Sequence, residues 1–207
     1  MRFPHSSDCV AGSVAVRPEP PLEPVELEVG ELRLRPWRTD DVDDAWRVFQ
    51  DEQLRRWGGP AVESRDDVVA WLARRLEPAP DRVSWAVVDP PTGALAGSVG
   101  FAFVDLVEGQ AMVGYWTAPA YRGRGLAPVA VDAVCRRLFT TTTVDRIELF
   151  HAIANVASGR VAEKAGFTWE GRLRRSHRYA GVKLDQFLWA RLADDPPPVL
   201  GRPRTPR

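Results

Sequence analysis

The residues with the clearest chemical use are Tyr121-Arg122-Gly123-Arg124-Gly125-Leu126-Ala127. They lie between an apolar run, Ala111 to Thr117, that reads as a strand, and a segment, Pro128 to Phe139, that reads as a helix. A glycine-rich turn opening a helix is a device for holding phosphate. The glycines let the backbone approach the ligand, and the free N–H groups of the first helical turn point at the anion. Arg122 and Arg124 add positive charge in the same turn. Further along, Glu148 sits in an otherwise apolar strand, Ile147-Glu148-Leu149-Phe150. A carboxylate in a sheet is costly unless it is paired or faces a cleft. Two readings are therefore open: a base or amine-binding group, or an ion pair with an arginine such as Arg146 or Arg172. Asn155 brings an amide that both donates and accepts, and its alternative role is an Asx-turn. Ser158 brings a hydroxyl, and its alternative role is the N-cap of a short helix over Gly159 to Lys164.

The elements that must position these groups follow a mixed α and β pattern. Glu31 to Arg35 alternates and reads as a half-buried strand. Thr39-Asp40-Asp41 offers caps for a helix through Phe49. Ser64-Arg65-Asp66-Asp67 resembles a capping box, and Val68, Val69, Leu72 and Leu76 follow at helical spacing. Trp85 to Val88, Ala94 to Val104 and Ala111 to Thr117 read as an antiparallel meander. Ala127, Ala130, Val131, Val134 and Leu138 share one face of the helix after the loop, which packs on the sheet. Arg146 to His151 is a further strand, Ser158 to Ala165 a short helix ending at Gly166, and Phe167 to Glu170 and Leu184 to Leu192 close the sheet. Arg174 to Lys183 reads as a polar loop in which Tyr179 is a weak candidate for substrate contact. The expected domain spans residues 25–193. A proline-rich leader over 1–24 and a proline- and arginine-rich tail over 194–207 are expected to be flexible.

Composition narrows the function classes. Basic and acidic side chains balance at 28 each, which argues against a nucleic-acid binder. Cys9 and Cys135 are the only cysteines, and His5, His151 and His177 are scattered, so neither a disulfide framework nor a metal site is expected. No apolar run reaches membrane-spanning length, and a cytoplasmic protein with no membrane partner is the expectation. A GxxxxGK[ST] motif is missing, which leaves nucleotide triphosphatase chemistry unsupported. Of Trp37, Trp46, Trp57 and Trp71, core packing explains most, with one or two as candidates for a substrate wall.

Taken in order, the YRGRGLA loop, Asn155-x-x-Ser158 and Glu163-Lys164-Ala165-Gly166-Phe167 resemble the GNAT superfamily of N-acetyltransferases. Leu32-Arg33-Leu34-Arg35-Pro36-Trp37 and Gly114-Tyr115-Trp116 resemble its ribosomal-protein (Rim-type) branch. The resemblance covers about Leu27 to Leu192. It implies an α/β (α+β) GNAT fold: a mixed, mostly antiparallel sheet of six to seven strands flanked by helices, with a splayed central strand pair. It also implies acetyl-CoA as co-substrate and no metal. The pyrophosphate is expected on the backbone N–H groups of Arg122 to Ala127, and the pantetheine along the backbone of Tyr115, Trp116 and Thr117 and at Asn155. For the side chains of Tyr115 and Trp116 core or rim packing is the expectation. Pro128 departs from the branch, which often carries a polar residue there.

By the same resemblance Glu148 takes a proton from the acceptor amine, and Ser158 hydrogen-bonds the departing CoA thiolate. The tyrosine that related members use is absent, since Ala162 matches its position. The acceptor is expected to be a protein N-terminal amine. The alternatives are a small amine, including an aminoglycoside-type antibiotic, and a non-catalytic acyl-CoA-binding regulatory module. A peptide needs an open groove and an aminoglycoside an acidic pocket, for which Asp40, Asp41, Asp43, Asp44, Asp51 and Glu52 are candidates. Monomer and homodimer both stay open.

Overall fold

The computed structural model describes residues 22–179 and 181–200. The expectations for the leader and tail therefore fall, over residues 1–21 and 201–207, outside the described residues. The described chain forms an eight-stranded sheet in the order β1-β2-β3-β4-β5-β6-β8-β7. The strands are β1 (Leu27–Val29), β2 (Leu32–Arg35), β3 (Val83–Val88), β4 (Leu95–Asp105), β5 (Gln110–Thr117), β6 (Arg146–Ala152), β7 (Thr168–Tyr179) and β8 (Val182–Leu192). All neighbours are antiparallel except β5 and β6, which are parallel. Six or seven strands were expected; the eighth is β1, three residues joined to β2 by a turn with Gly30 at φ 62°.

Helices cover both faces. On one lie α1 (Val42–Phe49), which follows a 3-10 turn over Thr39–Asp41, α2 (Glu52–Arg56) and α3 (Arg65–Leu76). The capping box of α3 is present: Ser64 Oγ accepts from the Asp67 N–H at 3.2 Å, and Asp67 accepts from the Ser64 N–H at 2.9 Å. The face that α3 buries is not the expected one. Val69 and Leu76 are exposed, and Trp71 packs inward with Val68 and Leu72. Trp71 meets Trp37 and Phe49 edge to face at 5.0 and 4.8 Å, an arrangement that suits the ring quadrupoles. Trp116 of β5 joins this cluster.

On the other face α4 (Leu126–Thr141) and α5 (Val156–Lys164) close the larger core. Ala130, Val131, Val134 and Leu138 of α4 point into it as expected, but Leu126 takes the first core position and Ala127 turns toward the cleft. Cys135 is fully buried there, and burial pushes its thiol well above the ordinary range, which leaves it inert. A buried ion pair pins α4 to β8: Arg191 donates to Asp132 at 2.8 Å and to the Ala165 carbonyl at 3.0 Å.

Candidate active site

The parallel pair β5 and β6 creates the site by coming apart. Their register runs only from Gln110–Arg146 to Met112–Glu148. Beyond it β5 stays paired with β4 as far as Thr117, and β6 with β8 as far as Ala152. From Val113 onward the edge of β5 that faces β6 therefore has backbone groups with no strand partner. Such groups are open to water or to a ligand running along the strand. The gap opens into a cleft of about 800 Å³, a size suited to a small-molecule site.

The glycine loop borders one end of this cleft. Gly123 and Gly125 have φ of 75° and 79°, and Gly125 is the N-cap of α4. The N–H groups of Leu126 and Ala127, first in the helix, have no intrahelical acceptor. Pro128, third in the helix, is buried, lines the cleft and has no N–H to give. The N–H of Arg122, expected among the phosphate donors, goes instead to the Pro119 carbonyl at 3.3 Å.

The two loop arginines have separate fates. Arg122 points toward α2. Its guanidinium donates to the Thr117 carbonyl, to Gln53 Oε1 and to both carboxylate oxygens of Asp51, with Oδ2 at 3.2 Å. Arg122 in turn holds the Asp51 carboxyl below its ordinary pKa. Asp51 is also the N-cap of α2, accepting from the Leu54 N–H at 2.9 Å. Arg124 lies over Tyr121, its Cζ 5.1 Å from the ring centre, and has no ion-pair partner among the described residues.

Ser158 and Asn155 reach the cleft from the start of α5. Asn155 is the N-cap, its Oδ1 accepting from the Ser158 N–H at 3.3 Å. Ser158 is therefore not the cap, contrary to its alternative reading. Its Oγ lies 2.7 Å from the hydroxyl of Tyr115 on β5, so the pair links β5 to α5. Burial raises the Tyr115 pKa to about 12, which keeps a neutral phenol at that position. The side chain of Tyr115, expected only to pack, is thus a polar member of the site. Its spacing in the sequence carries no signal of this, because the contact spans 43 residues.

Glu148 stands apart from these groups. It does not line the cleft; Arg146 holds its carboxylate at 2.8 Å and also binds Glu170 on β7. Pairing draws the Glu170 carboxyl down and the Arg146 guanidinium up. His151 does line the cleft, but both ring nitrogens are engaged. Nδ1 meets the Ala152 carbonyl at 2.8 Å, and Nε2 accepts from Trp189 Nε1 at 3.0 Å. Accepting at Nε2 puts the proton on Nδ1, and burial lowers the ring's pKa, so this imidazole is neutral with no lone pair to spare.

The far half of the cleft is walled by Trp57, Trp71, Met112, Phe150 and Tyr179. Tyr179 comes from β7, where a loop was expected. Its ring meets Trp57 at 6.1 Å, and its hydroxyl accepts from Gln186 Nε2 at 2.8 Å. Among the described residues no aspartate or glutamate lines the cleft. Four of the six acidic candidates near the N-terminal helices are held in ion pairs. Asp41 binds Arg35 in a buried pair at 2.6 Å, Asp43 binds Arg65 at 2.7 Å, Asp44 binds Arg47 and Asp51 binds Arg122. Among the described residues there is no cluster of side chains suited to a metal ion, and no helix is long and apolar enough to cross a membrane.

The acetyltransferase (GNAT) domain model matches residues 31–168. The ribosomal-protein-serine acetyltransferase of Escherichia coli (strain K12) is 26% identical over 100 residues, covering 48% of this chain and 56% of that protein, about half its length. Among solved structures, the ribosomal L7/L12 alpha-N-protein acetyltransferase RimL in complex with coenzyme A superposes with a TM-score of 0.74 at 19% identity. That match covers 81% of this chain and 97% of RimL. The microcin C7 self-immunity acetyltransferase MccE, in complex with acetyl-CoA and AMP, gives 0.70 at 20% identity, covering 78% and 92%. At these identities the two structures establish a shared fold.

Proposed function

The chain belongs to the GNAT family of acetyltransferases, and from that premise we propose that it moves an acetyl group from acetyl-CoA to the N-terminal amine of a protein. The observation that carries the reading is the parted β5–β6 pair, with free helix N–H groups at one end and the Ser158–Tyr115 pair across it. In this reading the pyrophosphate lies against the N–H groups of Gly123 to Ala127, with the charge of Arg124 nearby. The pantetheine runs along Tyr115, Trp116 and Thr117, and the Asn155 amide holds it. Structures of the same fold carry coenzyme A or acetyl-CoA, which supports this use of the cleft.

The neutral amine nitrogen attacks the thioester carbonyl carbon in a ternary complex; a C–N bond forms, the C–S bond breaks, and the proton that the nitrogen loses passes to water. A backbone donor of β5 supports the negative charge that develops on the carbonyl oxygen. Either hydroxyl of the pair can donate; in this reading Tyr115 is the donor, which leaves the serine O–H for the leaving sulfur. Ser158 stabilises the thiolate, and Tyr115 positions Ser158.

A cleft without carboxylates favours one kind of acceptor. A protein α-amine has a pKa near 8, so a sizeable fraction is already neutral at pH 7.5, whereas a lysine amine near 10.4 needs a base to strip it. The Glu148 carboxylate is bound to Arg146, which supports its ion-pair role over that of a base. The same lack of acids disfavours a polycationic aminoglycoside, and the names of the ribosomal-protein relatives favour a protein terminus. The test is CoA release from acetyl-CoA with N-terminal peptides, polyamines and aminoglycosides in parallel. Release with peptides is the expected result. Tight CoA binding without turnover on any amine would point instead to the regulatory module.

A further inference from the structure

Arg75 is a cation in the cleft wall whose charge the protein itself does not answer. It is the penultimate residue of α3 and lines the half of the cleft that lies across the sheet from α4. Its guanidinium lies over the indole of Trp71, with Cζ 3.6 Å from the ring centroid. One nitrogen donates to the Trp71 carbonyl at 3.2 Å. Nε is fully buried and has no hydrogen-bond partner among the described residues. No carboxylate there forms a salt bridge with it, in contrast to Arg122 at the other end of the cleft.

The surroundings make this arrangement costly in the absence of an anion. Burial together with the neighbouring charges of Arg74 and Arg82 brings the Arg75 pKa down to about 10. Every named influence disfavours the charge, yet a guanidinium with that pKa is still ionised near neutral pH. Its platform is rigid, because Trp71 is 5% exposed and locked between Trp37 and Phe49. Stacking restrains the guanidinium plane and leaves its edge, with the remaining N–H groups, for a planar anion. A carboxylate is the natural partner, since it matches that edge in two parallel hydrogen bonds.

Building on the acetyl-transfer reading, we propose that Arg75, stacked on Trp71, binds a carboxylate of the acceptor and so selects amines that carry one. On a protein terminus that carboxylate is an aspartate or glutamate side chain within the first few residues; on a free amino acid it is the α-carboxylate. The lack of acids in the cleft serves the same end, because none competes for the arginine.

The experiment uses matched peptides with Asp or Glu against Asn or Gln at positions two to five, together with free amino acids. Wild type, Arg75→Gln and Arg75→Lys are compared, with thermal melts and CoA affinity as controls on folding. Wild type should prefer the acidic peptides by about tenfold, chiefly through KM, the size of a charge-assisted hydrogen bond. Arg75→Gln should lose the preference, its KM for acidic peptides rising to that for neutral ones, and Arg75→Lys should retain part of it. Preference for free amino acids over all peptides would place the carboxylate on the α-carbon. Binding of the N-acetylated peptides in the presence of CoA, read by calorimetry, separates this claim from catalysis. Selective binding that Arg75→Gln abolishes supports the arginine site even if no peptide turns over, an outcome that would refute only the acetyl-transfer reading. Equal use and equal binding of acidic and neutral peptides, or a preference that survives in Arg75→Gln, overturns the proposal.

Discussion

The two halves of the cleft are built from different materials. The end beside α4 is made of backbone: the glycines 123 and 125, the free N–H groups of Leu126 and Ala127, and the unpaired edge of β5. The opposite end is made of side chains from scattered segments: Trp57 after α2, Trp71 and Arg75 on α3, Met112 and Phe150 in the sheet, and Tyr179 near the hairpin. A backbone site needs glycines at fixed spacing, because only they adopt the required φ without strain. A side-chain site has no such fixed spacing and is free to change its wall without changing the fold. One protein thus holds a half suited to an invariant ligand and a half suited to a chosen one. The link between them is Arg122, which leaves the loop to bind Asp51 and Gln53.

The largest effect that would break this contrast comes from Gly114. A Cβ there meets no atom within 4 Å, although the residue lines the cleft. Gly114→Val should lower kcat/KM by about 100-fold or more through misplacement of the reactants. Its melting temperature should stay within about 2 °C of wild type, since no packed atom is displaced. Full activity in a stably folded variant would mean that the reaction does not pass Gly114. Next in size is the bridging pair. Ser158→Ala should cost about 100-fold in kcat with little change in the KM for acetyl-CoA. Tyr115→Phe should cost about tenfold, the smaller loss expected of a residue that acts through another.

The loop arginines sharpen the comparison further. Arg122→Ala removes the ion pair that ties the loop to α2, so it should raise the acceptor KM more than the acetyl-CoA KM. Arg124→Ala should do the reverse, by roughly three- to tenfold, the loss of one charged contact. If both variants affected only acetyl-CoA, the link between the halves would be no more than a structural contact. The smallest effect belongs to Glu148→Gln. Its partner Arg146 keeps Glu170, so kcat should stay within about twofold and stability should fall by less than about 1 kcal/mol. A larger fall in kcat, with a changed pH profile, would restore Glu148 as the base.

What the sequence made legible follows the same division. The loop, the meander from β3 to β5 and the α3 capping box each rest on local chemistry, and the structure has them close to the expected residues. β1 and α2 were missed because they are three and five residues long, too short for a periodic signal, and α2 is held by its cap and by Arg122. β7 was cut short because it is an edge strand with little burial on either face, so its charged run from Arg172 to Arg178 looks like a loop. Arg75 gave no signal either. An Arg74-Arg75 pair at a helix end reads as an ordinary complement to the helix dipole. The Tyr115–Ser158 contact needed the register of the sheet before it could be seen; the Arg146–Glu148 pair is one of the two readings the sequence leaves open, and the register adds Glu170 to it.

Identifying the acetylated nitrogen tests the central claim most directly. A peptide with a free N-terminus, an internal lysine and an acidic residue near its start is incubated with enzyme and acetyl-CoA between pH 6 and 9. Fragmentation mass spectrometry then locates the acetyl group. The account predicts acetylation of the α-amine, with kcat/KM rising through about pH 8 as that amine loses its proton. Acetylation of the lysine alone, or no acetylation of an amine that demonstrably binds, would contradict it.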